Sequence, residues 1–170
     1  MESLPPKNSL THLDASGRPS MVDVGGKEET EREAVAEGWL TLSRAAADAL
    51  IAGRTPKGDP LLVAQIAGIQ AAKRTAELIP LCHTLPLSKV DVQLELDPDR
   101  PAVRARALVR VVARTGVEME ALTAVALALL TVYDMLKAVD RTMRIEQIRL
   151  LSKKGGRSGS FEAESELDHR

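Results

Sequence analysis

The sequence predicts an α+β fold, a ferredoxin-like βαββαβ sandwich in which one antiparallel sheet carries helices on a single face. Three observations carry that prediction. Apolar and polar residues alternate with period two in four segments, near residues 33–42, 89–96, 103–111 and 145–153. Segments of helical spacing lie between them, so the order runs strand, helices, strand, strand, helix, strand. The chain also has 23 alanines and only three aromatic residues, Trp39, Tyr133 and Phe161. Such a core packs helices close against a sheet.

In the first strand, Glu33–Leu42, Ala34, Ala36, Leu40 and Leu42 share one face and Glu37, Trp39 and Thr41 the other. Ser43 caps a helix over Arg44–Ala52, and Gly53 ends it. Asp59 as cap and Pro60 at the first helical position open a second helix. It is expected to run to about Leu78, burying Leu62, Ile66, Ile69 and Ala72. In Lys89–Leu96 the inward residues are Val90, Val92, Leu94 and Leu96. The turn Asp97-Pro98-Asp99-Arg100-Pro101 joins it to a strand with Val103, Ala105, Ala107, Val109 and Val111 inward and Arg104, Arg106 and Arg110 outward. Val117–Val139 reads as a long helix with a stripe of Leu122, Val125, Leu129, Val132, Leu136 and Val139. A last strand, Ile145–Lys153, puts Ile148 and Leu150 on one face and stops at Gly155-Gly156. A tryptophan among polar outer positions suggests that another subunit covers that face.

The 170 residues suit one catalytic domain over 21–161, between a flexible N-terminal arm, 1–20, and a flexible tail, 162–170. Lys and Arg number 23 against 24 Asp and Glu, a net charge of −1. That balance argues against a generic nucleic-acid binder, and scarce aromatics against a base-stacking platform. Cys82 is the single cysteine, which excludes an internal disulfide and fits a reducing compartment. Met1–Asn8 holds two prolines and no apolar core, so no signal peptide is expected. The apolar run Ala121–Tyr133 falls short of the ~20 residues a membrane span needs, and the expected location is the cytoplasm.

Four segments hold candidate chemistry. In Ile79–Lys89 two prolines fix a loop around His83, whose imidazole is either a structural group or one that transfers a proton or bonds a ligand. Cys82 beside it forms no nucleophilic dyad, since adjacent side chains diverge. Zinc is disfavoured because the other histidines, His12 and His169, lie in the arms. At the start of the long helix, Glu118 and Glu120 either complement the helix dipole or accept hydrogen bonds from an amidine-like ring edge. Near its end, Asp134 and Lys137 are three residues apart: an exposed ion pair, or, in a pocket, an acid–base couple. Glu120 and Asp134 share a face but lie roughly 21 Å apart. If both serve one reaction, the site is composite and crosses a subunit interface. Lys153-Lys154-Gly155-Gly156-Arg157-Ser158-Gly159 is either a phosphate cradle or a solvated loop, and lacks P-loop spacing. Lys57, in a Pro-Lys-Gly turn, and Lys73 are further cations open to phosphate.

These segments together resemble one family. The matching stretches are Met21–Val24, Lys57–Asp59, Ile66–Thr75, Ile79–His83, Leu87–Val90, Thr115–Ala124, Tyr133-Asp134-Met135 with Lys137–Val139, and Gly155–Gly159. The chain is similar to cyclic pyranopterin monophosphate synthases, which act early in molybdenum cofactor biosynthesis. The resemblance implies a ferredoxin-like subunit in a homohexamer, a trimer of dimers, with its active site at a dimer interface. It implies a cyclised dihydroguanosine triphosphate as substrate, made upstream by a radical S-adenosylmethionine enzyme, with pyrophosphate released. Asp134 would be the catalytic acid–base group, partnered by Lys137, and Lys57 would transfer protons or contact phosphate. Leu81, Cys82, His83, Met119 and Glu120 would contact substrate; Asp23, Arg32, Glu118, Lys153 and Arg157 would line the same pocket. Two positions depart from the pattern: Thr84, where proline commonly follows the histidine, and Arg157, where lysine is frequent. No cofactor or metal site is implied, although Mg²⁺ carried by the phosphates is compatible. No nucleic-acid or membrane partner is expected. The competing class is a non-catalytic oligomeric module that senses a purine or pterin nucleotide. It would need Glu120 and the cations but not Asp134 beside Lys137.

Overall fold

The computed structural model describes residues 16–53, 58–156 and 159–164. Strand β1 (Thr30–Thr41) leads to helices α1 (Arg44–Ile51), α2 (Pro60–Lys73) and the single turn α3 (Thr75–Leu78). Strands β2 (Lys89–Leu96) and β3 (Ala102–Ala113) form the hairpin; α4 (Glu118–Leu136), β4 (Arg144–Lys154) and the short β5 (Phe161–Glu162) follow. The sheet order is β2-β3-β1-β4-β5, with every neighbouring pair antiparallel. The α+β class is therefore as expected.

Alternation fixes the sheet faces. Ala34, Ala36 and Leu40 of β1 and Val103 through Val111 of β3, taken in alternation, are buried with Val92 against α4, whose Val125, Leu129, Val132 and Leu136 are fully buried. At Gly38 the helix comes so close that an added Cβ would lie 2.9 Å from Val125 Cγ1 and from Ile148 Cγ1. In β4 a bulge at Gln147, the one non-glycine with positive φ among the described residues, resets the alternation. Ile145 and Leu150 thereby pack on the core while Arg149 faces outward beside Glu37.

The outer sheet face holds a charge network. Glu37 is buried, and each of its oxygens accepts two bonds from one arginine: Arg104 at 3.1 and 2.6 Å, Arg149 at 3.1 and 2.9 Å. Burial pushes its carboxyl up, but the two guanidiniums outweigh that and hold it below the usual range. Trp39 lies under Arg100, 4.2 Å from the ring centroid, and within 5.6 Å of Arg104. Arginines of the same subunit thus cover part of the ring that the sequence reading left for a partner.

Three expectations change. The second helix breaks at Arg74, whose φ of −111° and ψ of 11° separate α2 from α3. The buried stripe of α2 is Ala64, Gly68, Ala71 and Ala72, whereas Leu62 and Ile66 face outward at 55% and 51% exposure. Small residues win the inner face because α2 and α4 are nearly in backbone contact: a Cβ on Gly68 would lie 2.9 Å from the Ala124 carbonyl. Val139 lies beyond the end of α4 and is exposed. The third change is β5, where Glu162 pairs with Ser152 and Ala163 N donates to Leu151 O at 2.8 Å, inside the stretch assigned to the tail.

At 19 residues α4 is longer than its most apolar run and meets the length and composition of a spanning helix. It is packed against α2 and strands β1, β3 and β4, the arrangement of a core helix. Its C-terminal connection is fixed by Asp140, which accepts from Ser43 N at 2.7 Å, Thr142 N at 2.8 Å and Thr142 Oγ1 at 2.7 Å. Those donors, the Thr142 hydroxyl foremost, hold its carboxyl down to about 2.

Candidate functional site

The β3–α4 junction organises the site. Thr115, Gly116 and Glu118 line both a large cleft of about 830 Å³ and a small one of about 130 Å³. Gly116 leaves room for the Glu118 carboxylate, which a Cβ there would displace.

The small cleft is lined by Leu81, Cys82, His83, Leu85, Met119 and Glu120, so the proline-fixed loop and the first turn of α4 converge as expected. His83 Nε2 lies 2.9 Å from the Val22 carbonyl, an oxygen that can only accept, so Nε2 carries the proton and Nδ1 is left for other bonds. Glu120 is 4% exposed. Burial, reinforced by the nearby Glu118 carboxylate and opposed by its own backbone N–H, pushes its carboxyl up to about 7. Near neutral pH it can therefore both accept and donate a hydrogen bond, as a nitrogen-rich ring edge demands. Burial first, and the Glu120 charge second, also push the Cys82 thiol up, so this cysteine is a neutral wall of the cleft rather than a nucleophile.

The large cleft is cationic. Lys27, Arg32, Arg114, Lys153 and Lys154 line it, with Glu28, Glu33 and Glu118. Lys153 Nζ lies 3.5 Å from Glu118 Oε1 and Lys154 Nζ 3.9 Å from Glu33 Oε1. Arg32 donates from Nε to Ala113 O at 3.4 Å, and its guanidinium lies where a Cβ of residue 156 would stand. Gly156, at φ +81°, holds a conformation that favours glycine, and with Gly155 at φ +93°, where a Cβ would overlap the Glu31 carbonyl, it turns the chain beside the cleft. Five cations against three carboxylates, with the Gly155-Gly156 backbone beside them, make a surface suited to a polyphosphate.

Other expected residues lie apart. Asp23 is exposed and accepts from Gly25 N at 2.8 Å, which shapes the turn entering the large cleft. Lys73 is exposed on the last turn of α2 and lines neither cleft. Lys137 Nζ binds Asp134 Oδ1 at 2.6 Å, both side chains about half exposed, at the opposite end of α4 from Glu120. The pair exists as expected, but on a different part of the surface from the clefts. Lys57 and Arg157 lie outside the described residues. Among the described residues no group of three or more His, Cys, Asp or Glu side chains could hold a metal.

The sequence reading missed Lys27 and Arg114 as members of the cationic cleft, whereas Lys154 lies in the segment it named as a phosphate cradle. Lys27 follows a glycine pair and Arg114 directly precedes the Thr115–Ala124 stretch. Adjacency to those motifs was the available signal.

A family model described as the MoaC family matches residues 21–156, which spans both clefts and α4. A protein of Chloroflexus aurantiacus named cyclic pyranopterin monophosphate synthase is 58% identical over 155 residues, covering 91% of this chain and 95% of its own length. Proteins with the same name from a Nostoc species and from Brucella ovis are 56% identical over 158 residues (92% and 94% covered) and 54% over 152 residues (89% and 92% covered). A match of that extent, with the Leu81–His83 loop, the Glu118–Glu120 turn and the Gly155-Gly156 turn gathered at one junction, makes this chain a member of the MoaC family.

Proposed function

We propose that this chain is a cyclic pyranopterin monophosphate synthase. It would convert 3′,8-cyclised dihydroguanosine 5′-triphosphate to cyclic pyranopterin monophosphate and release pyrophosphate, a phosphorus–oxygen lyase step in molybdenum cofactor biosynthesis. The observation that carries this reading is the pair of adjoining clefts: one small, half apolar and ending in Glu120, the other wide and cationic. The purine-derived ring fits the first and the triphosphate the second, with Glu118 and Thr115 at the boundary.

The chemistry opens and rebuilds a ring while the α-phosphate closes onto a ribose oxygen and pyrophosphate leaves. Each step moves protons between nitrogen and oxygen, work for positioned acids and bases at about 10²–10⁴-fold per group. Glu120 and His83 would orient the ring. Arg32, Lys153 and Arg157 would neutralise the leaving pyrophosphate, with Asp23 at the entrance. Asp134 with Lys137, and Lys57, would supply the proton transfers. Asp134 lies roughly 21 Å along α4 from Glu120, so these groups meet one substrate only if a second subunit brings its own Asp134 end to this cleft. A homohexamer built as a trimer of dimers provides such an interface, and the exposed Leu62, Val63 and Ile66 of α2 are apolar surface suited to assembly. Mg²⁺ would arrive with the phosphates as part of the substrate. The cytoplasm, where a radical S-adenosylmethionine enzyme would supply the substrate, is the location this reading requires.

Product analysis tests it. Purified protein incubated with the cyclised nucleotide should release pyrophosphate and the pterin monophosphate without S-adenosylmethionine. Asp134→Asn and Lys57→Ala should lose turnover by at least 10²-fold and keep the assembly. Saturable binding without product would instead favour a nucleotide sensor, and full activity in both variants would remove their assigned roles.

A further inference from the structure

The segment from Met21 to Glu29 runs as a strap from His83 of the small cleft to the large cleft, which its Gly26, Lys27 and Glu28 line, and it is held by side chains rather than by pairing. Among the described residues one backbone–backbone hydrogen bond lies within it, Lys27 N to Val24 O at 3.1 Å. Its first anchor is His83, through the Val22 carbonyl. The second is Arg114, which follows β3 directly: Nη1 donates to Gly25 O at 3.1 Å, and Nε lies 3.7 Å from Glu29 Oε1.

The point of attachment matters. Gly25 is the tip of a turn closed on one side by Asp23 Oδ1 accepting from Gly25 N at 2.8 Å, and continuing on the other through Gly26 to Lys27. Gly26 offers no packing of its own, since a Cβ there would meet nothing within 4 Å. Lys27 lines the cationic cleft and has no acidic partner within ion-pair distance among the described residues. The Lys27 N to Val24 O and Gly25 N to Asp23 Oδ1 bonds shape this turn from within, and among the described residues the bonds that tie it to the rest of the fold are those of His83 and Arg114.

We infer that Arg114 is a positioning residue: by gripping Gly25 O and Glu29 it holds the strap so that the Lys27 ammonium stays over the phosphate cleft. Arg114 also lines the cleft, but its Nη1 and Nε are turned to Gly25 O and Glu29, so its effect on phosphate binding passes through Lys27. The inference rests on the proposed assignment of this cleft to the substrate phosphates. A guanidinium suits the task, because its fork reaches a carbonyl and a carboxylate at once.

The test pairs a double-mutant cycle with backbone exchange, using inorganic triphosphate as the probe. Lys27→Ala should weaken triphosphate binding about fivefold and Arg114→Ala about threefold, the scale of exposed charged contacts. The double variant should be no weaker than Lys27→Ala alone. In Arg114→Ala the amides of Gly25 and Lys27 should exchange faster while those of β1 and β3 keep their rates. Arg114→Lys, which retains the charge and can donate to the Gly25 carbonyl without the fork, should restore most of the protection. Additive losses in the cycle, or unchanged exchange in the strap, overturn the inference. If the wild-type protein fails to bind triphosphate, the phosphate assignment itself falls, and exchange in the strap still decides whether Arg114 anchors it. Should Arg114→Ala disturb the strand amides, Arg114→Gln, which removes the charge and keeps a donor, takes its place in the cycle.

Discussion

Replacing Glu120 with Gln should make the protein more stable at pH 8 and leave it unchanged near pH 4.5. The reason is the buried position of this carboxyl, 4% exposed at the start of α4. Its pKa stands at about 7 against the usual 4.5, chiefly through burial. Below pH 4.5 folded and unfolded chains both carry the proton. Between pH 4.5 and 7 the unfolded chain has lost it while the folded chain retains it, so stability falls as pH rises. Above pH 7 the folded chain holds a buried carboxylate, and the loss is complete. A displacement of about 2.5 pH units at about 1.4 kcal/mol each gives about 3.5 kcal/mol. Gln keeps the shape and never ionises, so it avoids that loss. Urea unfolding at fixed protein concentration, with a slope of about 2 kcal/mol/M, would place the variant's midpoint about 1.7 M above wild type at pH 8. The gap should close steadily as the pH is lowered to 4.5. Equal midpoints at every pH, or a gap independent of pH, would refute the reasoning and place the Glu120 carboxyl in a solvated setting. The same substitution should impair binding of the cyclised nucleotide, because a buried group of adjustable protonation is what the ring edge would use.

Four further outcomes follow from the geometry. Glu37→Ala leaves Arg104 and Arg149 facing each other; with both one-third exposed, solvent softens the cost to about 2–3 kcal/mol, readable as a lower urea midpoint. Gly156→Ala forces a Cβ into the Arg32 guanidinium at positive φ, so triphosphate binding should weaken about tenfold, with about 1–2 kcal/mol lost in stability. Gly38→Ala overpacks the contact with Val125 and Ile148 and should cost about 1–3 kcal/mol with the cleft residues untouched. In Glu120→Gln the Cys82 thiol loses a neighbouring negative charge, so its alkylation at pH 8 should quicken; an unchanged rate would deny that the two groups sense each other.

What the sequence could show depended on how strictly each pattern constrains the backbone. The β2–β3 hairpin was legible because period-two alternation admits one arrangement, and the Asp97–Pro101 turn marks its end. The inner face of α2 was not. Its leucines and isoleucines compete with small residues for the core, and the decision is made by how closely α4 approaches, which no local pattern records. Strand β5 is two residues long and owes its pairing to Ser152 and Lys153, so nothing within Phe161-Glu162 announces it. At the site, the Leu81–His83 loop and the Glu118–Glu120 turn were legible through the resemblance, and both line the small cleft. Arg114 was not, because a lone arginine at a strand end looks like a solvated charge until Gly25 is seen beside it. The distance from Glu120 to Asp134 followed from helix geometry alone, and the pair does stand at opposite ends of α4.

The single tryptophan has a practical consequence. Trp39 sits on the outer sheet face under Arg100 and beside Arg104, away from the α4 core. Its emission is therefore an intrinsic optical probe of that face and is blind to the helix layer. Circular dichroism at helical wavelengths reads the opposite layer. Followed together during denaturation or dilution, the two signals separate the uncovering of the sheet face from the melting of the helices, without any label being introduced.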